Sequence, residues 1–148
     1  MVKNKIFAID FDNTIAREDC YPEVGKLLPY AKQFINRLYK DGAYIIIWTS
    51  RDSDTLYKVV DFLFNNEIFF HKINESNPAL LEKYQNNPRK IGADWYFDDK
   101  TPGLRLEDGT FDWLEAMRNF YDFDIISYYS GNDLVFKNLE ISKTGETL

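Results

Sequence analysis

Cysteine is nearly missing: Cys20 is the single copy in 148 residues. A lone thiol excludes an internal disulfide framework and a cysteine-ligated metal cluster. Histidine is equally scarce, and His71, the only one, falls after a short apolar run where a structural role is favoured over a catalytic one. Basic residues are the minority. Eighteen Lys and Arg face 24 Asp and Glu, a net charge of −6 and a pI near 4.8, so a broad basic surface for duplex nucleic acid is not favoured. The segment NNPRK at 86–90 supplies at most a local basic patch. No apolar run approaches the roughly 20 residues that a bilayer span requires. The start, MVKNKIF, leads into acids with no small-residue cleavage site, so neither a membrane span nor a signal peptide is expected and the cytoplasm is the expected compartment. Repeats, low-complexity tracts and interdomain linkers are also missing. With 45% hydrophobic residues, the chain 1–148 is expected to bury one core as a single domain.

Apolar runs with strand character recur along the chain at 5–9 (KIFAI), 43–48 (AYIIIW), 68–70 (IFF) and 94–97 (DWYF). The second is almost continuous in β-branched and aromatic residues, as in a central parallel strand covered on both faces. Between the first two, Ala31, Phe34, Ile35 and Leu38 follow helical spacing, bracketed by Pro29 and Gly42 as start and stop signals. Between the second and third, Leu56, Val59, Val60, Leu63 and Phe64 form a similar stripe, with Asp52 or Ser53 as cap. This alternation predicts an α/β fold, a Rossmann-like three-layer sandwich with a central parallel sheet. The last forty or so residues predict a short helix in TFDWLEAMRNF and two strands, DIISYY and DLVFKNLEI, around SGND.

Ligands of open parallel sheets bind beyond the carboxyl ends of the strands. That rim collects three polar clusters: Asp10 and Asp12 after the first strand, Thr49 and Ser50 after the second, Asp98 and Asp99 after the fourth. Asp10 and Asp12 alternate around Phe11, so an extended backbone directs both carboxylates to one side. Each raises the cost of ionising the other, which a structural role seldom needs and a bound cation offsets. With a third carboxylate from Asp98 or Asp99 they could supply the hard oxygen ligands that Mg²⁺ prefers, waters and a substrate phosphate completing the shell. Thr49 offers a hydroxyl and neighbouring amides to phosphoryl oxygens. Lys90, eight residues before Asp98, could set a positive charge beside them.

These motifs resemble the haloacid dehalogenase-like superfamily of phosphohydrolases. DFDNT at 10–14 resembles its DxDx[TV] signature, IIIWTS its second motif, and Lys90 with YFDD at 96–99 its third and fourth. The resemblance covers about residues 5–102 and leaves 103–148 as an extension of unassigned role. It implies that Asp10 is the nucleophile that takes the phosphoryl group and that Asp12 is the general acid, then the base that activates water. It also implies that Asp10, the Asp12 backbone carbonyl and Asp98 bind Mg²⁺, with Asp99 a further ligand or a supporting partner. Thr49, Ser50 and Arg51 would contact the phosphate, and Lys90 would neutralise charge. In this family dehalogenases lack the second aspartate, so Asp12 favours phosphoryl chemistry. Cap domains enter after the first motif or the third strand. Here Ala16–Tyr30 and NESNPALLEKYQNNPRKIGA are too short to house one, and the chain resembles small capless members from bacteria and phages.

The expected substrate is therefore a phosphorylated small molecule or a polymer end, with Mg²⁺ as cofactor. A polynucleotide-end phosphatase and a non-catalytic phosphate-binding regulatory module are the alternatives. Taken singly, several residues also carry blander readings. Asp98 and Asp99 before KTPG suit a turn, Lys83 competes with Lys90 for the lysine role, and Arg51 could pair with Asp52 or Asp54 on the surface. Cys20 reads as a loop residue, and Tyr121, Phe123, Tyr128 and Tyr129 as packing.

Overall fold

The computed structural model describes the backbone of residues 2–130 and 133–140 and the side chains of residues 2–123. Its order is β1 (Ile6–Ile9), α1 (Ala31–Lys40), β2 (Tyr44–Ile47), α2 (Ser53–Asn65), β3 (Lys72–Ile73), α3 (Pro78–Tyr84), β4 (Trp95–Phe97), α4 (Trp113–Met117), β5 (Asp122–Ser130) and β6 (Asp133–Glu140). The first four strands form one sheet in the order β3-β2-β1-β4, every pair parallel. The fold is α/β and Rossmann-like, with no cap domain among the described residues. No helix there is long and apolar enough to cross a membrane.

Alternation along the strands divides the core. Phe7, Ile9, Ile45 and Ile47 face the larger cluster with α1, α2 and α4, while Ala8 and Ile46 face a smaller one with Ile91. α1 buries Ala31, Phe34, Ile35 and Leu38, the four residues that helical spacing selects. α2 departs from its expected stripe. Val59 and Leu63 are buried and Phe62 packs edge-on against Phe11, but Phe64 is 69% exposed. Asp52 occupies the N-cap of that helix, its amide donating to Thr55 Oγ1.

The third strand is also displaced, forming at Lys72–Ile73 rather than at 68–70. Hydrogen bonding explains the shift. The Ile68 amide closes the end of α2 on the Leu63 carbonyl, and the Phe69 amide donates to Asn36 Oδ1. Only from His71, whose amide reaches the Ile45 carbonyl, is the backbone free to join β2. His71 Nδ1 accepts from the Ile45 amide and its ring stacks on Tyr44, centroids 4.3 Å apart, so it has the structural place expected of it.

Residues beyond 102 complete the larger core. Phe111, Trp113, Ala116, Met117, Tyr121 and Phe123 all belong to it. β5 and β6 then pair antiparallel as a separate two-stranded sheet. The side chains of Tyr128 and Tyr129 and residues 131–132 of the expected SGND turn lie outside the described residues.

Candidate functional site

Register brings the strand ends into line. Ile9 pairs with Ile47 on one side and with Phe97 on the other, so the chain leaves β1, β2 and β4 at one level. The Asp10 amide continues the ladder to the Phe97 carbonyl at 2.8 Å, and the Trp48 amide reaches the Ile9 carbonyl at 2.8 Å. Past Asp10 the backbone turns tightly. The Ile15 amide donates to the Phe11 carbonyl, and Asn13 sits at φ 60°, a left-handed conformation that asparagine tolerates better than most residues.

That turn brings Thr14 beneath the acids. Its hydroxyl donates to Asp10 Oδ2 and accepts from the Asp99 amide, both at 3.0 Å. Its carbonyl accepts from Trp113 Nε1 at 2.6 Å. Thr14, Asp99 and Trp113 are all buried, so one threonine ties together the carboxylate just past β1, the backbone just past β4, and α4. Trp113→Phe leaves the Thr14 carbonyl buried without a donor, and such a group costs about 1–3 kcal/mol. A urea titration is expected to show that loss; a change within about 0.5 kcal/mol would contradict the tie.

Asp10, Asp98 and Asp99 converge, with one carboxylate oxygen from each lying within 4.8 Å of the others. Burial pushes the Asp10 carboxyl up to about 8, aided by its contact with Asp99 and by the charge of Asp98, while the Thr14 hydroxyl opposes the shift. The donor set is all carboxylate, the hard-oxygen chemistry that suits Mg²⁺, Ca²⁺ or Mn²⁺.

Asp12 is not part of that trio. Its two oxygens accept from Arg51 Nε and Nη2, each at 2.8 Å. Arg51 also donates to the Pro22 and Glu23 carbonyls and lies under the Tyr21 ring, 4.9 Å from its centroid. The guanidinium is therefore buried, its side chain 2% exposed, rather than paired with Asp52 or Asp54. Nothing in the spacing of the chain signals this: 39 residues separate the partners.

A pocket of about 130 Å³ opens over these groups, lined by Asp10, Asp12, Glu18, Tyr21, Ser50, Arg51 and Lys100. Thr49 is buried and does not line it. Its amide and carbonyl are clamped by the Asn74 side chain at 2.9 Å each, and its Oγ1 accepts from the Arg51 amide. Asn74 adopts a left-handed conformation just past β3, and no spacing in the sequence singles it out. Lys90 does not line the pocket; it is exposed, with Nζ 5.2 Å from the Tyr96 ring centroid. Lys83 similarly lies over Tyr84. The lysine at the pocket is Lys100, 3.9 Å from Asp99 Oδ2, a residue that sequence reasoning assigns to a turn. Cys20 is exposed, and its bond to Asp19 raises its thiol above the ordinary range, away from the reactive thiolate.

No protein-family model matches the chain, and no curated protein matches it. Among solved structures it is similar to a conserved protein coded by a locus of Bacteroides thetaiotaomicron. Identity is 28% and the TM-score 0.60, with the match covering 72% of this chain and 84% of that one.

Proposed function

We propose that the protein is a divalent-cation-dependent phosphomonoester hydrolase, with Mg²⁺ the expected cation, working through an aspartyl phosphate on Asp10. The observation that supports this most is the convergence of Asp10, Asp98 and Asp99 within 4.8 Å at the carboxyl edge of the parallel sheet. Three crowded carboxylates are a poor structural device and a good cation site. The resemblance of DFDNT, IIIWTS and YFDD to the haloacid dehalogenase-like superfamily points the same way.

Asp10, Asp98 and Asp99 would hold the cation, which when bound neutralises charge on the carboxylates and on the phosphoryl oxygens. Asp10, hydrogen-bonded by Thr14, would attack phosphorus, and the ester oxygen would depart as the new bond forms. Asp12 gives the leaving oxygen a proton and later takes one from the water that cleaves the acyl phosphate. Arg51 holds it in place through a fork on both oxygens. Two donors occupy two of about four carboxylate lone-pair positions, so Asp12 is oriented without being saturated. Lys100 and the exposed Ser50, both lining the pocket, would meet the remaining phosphoryl oxygens.

Phosphate release from a panel of sugar phosphates, nucleotides and phosphorylated oligonucleotides, with Mg²⁺ and with EDTA, tests the assignment. Metal-dependent turnover is expected, and its absence across the panel would overturn it.

Stability supplies a second test. A carboxyl raised from 3.8 to about 8 in the metal-free fold contributes stability that is complete below its unfolded pKa and lost as pH climbs through the folded one. Metal-free protein is therefore expected to lose thermal stability between about pH 4 and pH 8. Mg²⁺ should restore it, with a Tm shift of a few degrees at the upper end and almost none at the lower. Equal shifts across that range in differential scanning fluorimetry would contradict the cation site.

A further inference from the structure

The pocket over Asp10 holds about 130 Å³, whereas sites that enclose a whole small ligand typically measure about 300–1,000 Å³. A phosphoryl group and a few waters fill it. The rest of the ester must lie on the rim, so selectivity depends on what the rim presents.

Tyr21 is that rim's aromatic residue. Its ring lines the pocket and is 60% exposed. One face lies on the Arg51 guanidinium, 4.9 Å from Cζ to the ring centroid. That support is immobile, because Arg51 is tied to Asp12, Pro22 and Glu23 by four hydrogen bonds. The loop is pinned as well. Lys58 Nζ holds the Glu23 carboxylate at 2.9 Å, and the Arg17 amide bonds the Lys26 carbonyl at 2.9 Å. A Cβ on Gly25 would run into the Arg17 carbonyl oxygen, so glycine is what lets the loop close. A tyrosine ring supported by a fixed cation and 60% exposed costs little further entropy when it stacks.

We infer that the exposed ring of Tyr21 is a stacking platform for a planar aromatic ring carried by the leaving group, which makes nucleoside-monophosphate-like esters the substrate class. The inference rests on the phosphomonoesterase reading of the same site. Glu18 on the rim and the net charge of −6 disfavour a leaving group that carries further phosphates, so a mononucleotide fits better than a polynucleotide end. A base stacked here contributes alike to the bound substrate and to the transition state, and its signature is in KM rather than kcat.

Adenosine 5′-monophosphate and ribose 5-phosphate share sugar and phosphate and differ at C1′, which carries the base in one and a hydroxyl in the other. The full-length protein with Mg²⁺ is expected to show a KM about tenfold lower for the nucleotide, within the range that base–aromatic stacking gives. Tyr21→Ala should erase that ratio, and Tyr21→Phe, which keeps the ring, should retain it. Equal KM values in the wild-type protein, or a ratio that survives Tyr21→Ala, would overturn the platform, while hydrolysis of either ester leaves the phosphatase reading standing. If Tyr21→Ala lowers kcat for both esters equally with the KM ratio intact, the ring merely shields the Arg51–Asp12 pair, and the inference fails. No hydrolysis of any panel ester would end both.

Discussion

Asp10→Asn is expected to abolish phosphoryl transfer and, in metal-free protein, to raise thermal stability. Loss of a nucleophile that acts in concert with its neighbours lowers turnover by about 10⁴-fold or more. The gain in stability comes from the same geometry. In the metal-free fold Asp10 is held up at about 8 by burial and by Asp98 and Asp99, so above that pH three anions crowd one site. An asparagine amide removes one charge, donates to the carboxylates that remain and still accepts from Thr14. At pH 8 a gain of about 1–3 kcal/mol follows, since a tenfold change in proton affinity corresponds to about 1.4 kcal/mol. On the proposed reading the order reverses with Mg²⁺, since the variant would lack a ligand and should show little metal-induced change in Tm. A residue that matters only for folding would move both readouts down together; opposite signs are the mark of a cation site. Paired measurements of phosphate release and Tm, with Mg²⁺ and with EDTA, decide it.

The second large effect is expected at Arg51. Its side chain is 2% exposed and Asp12's 17%, so this is an interior pair rather than a surface one. Removing one partner of such a pair leaves a desolvated charge and typically costs about 3–5 kcal/mol, several times a surface bridge. Arg51→Met should therefore lower Tm by about 10 °C or more. It also strands the Pro22 and Glu23 carbonyls that the guanidinium now satisfies. Arg51→Lys should rescue little, since an ammonium cannot reproduce the fork on both Asp12 oxygens while reaching those carbonyls. Removing Asp12 as well should cost less than the sum of the two single losses. A double-mutant cycle by urea denaturation is expected to give a coupling of about 1 kcal/mol or more; additivity would mean that the pair is only a contact.

The contrast between these two residues shows what is legible in the chain. Asp10, Asp98 and Asp99 each follow a strand that apolar runs reveal, and parallel pairing then aligns the strand ends, so their convergence can be anticipated from spacing alone. α1 is equally readable, because its buried face repeats every three to four residues. Arg51 and Asp12 are different. They meet through a side chain that reaches 39 positions back along the sequence, and no periodicity encodes such a contact. Lys100 gives no signal because it follows the acidic pair directly, in a stretch that reads as a turn. Lys90 has the motif spacing, yet it rests against Tyr96. The third strand starts later than its apolar run because Asn36 and the end of α2 use the backbone of 67–69, a tertiary demand invisible to local propensity. The role of Trp113 is unreadable for the same reason, its bond to Thr14 spanning 99 residues.

Covalent trapping tests the central claim most directly. Protein quenched during turnover of an active ester and reduced with borohydride should, on the proposed mechanism, carry homoserine at position 10, because hydride converts an acyl phosphate, but not a free carboxylate, to the alcohol. Peptide mass mapping should find it only when both Mg²⁺ and the ester are present, and never in Asp10→Asn. Turnover with an unmodified aspartate at position 10, or turnover retained in Asp10→Asn, would contradict the aspartyl-phosphate mechanism.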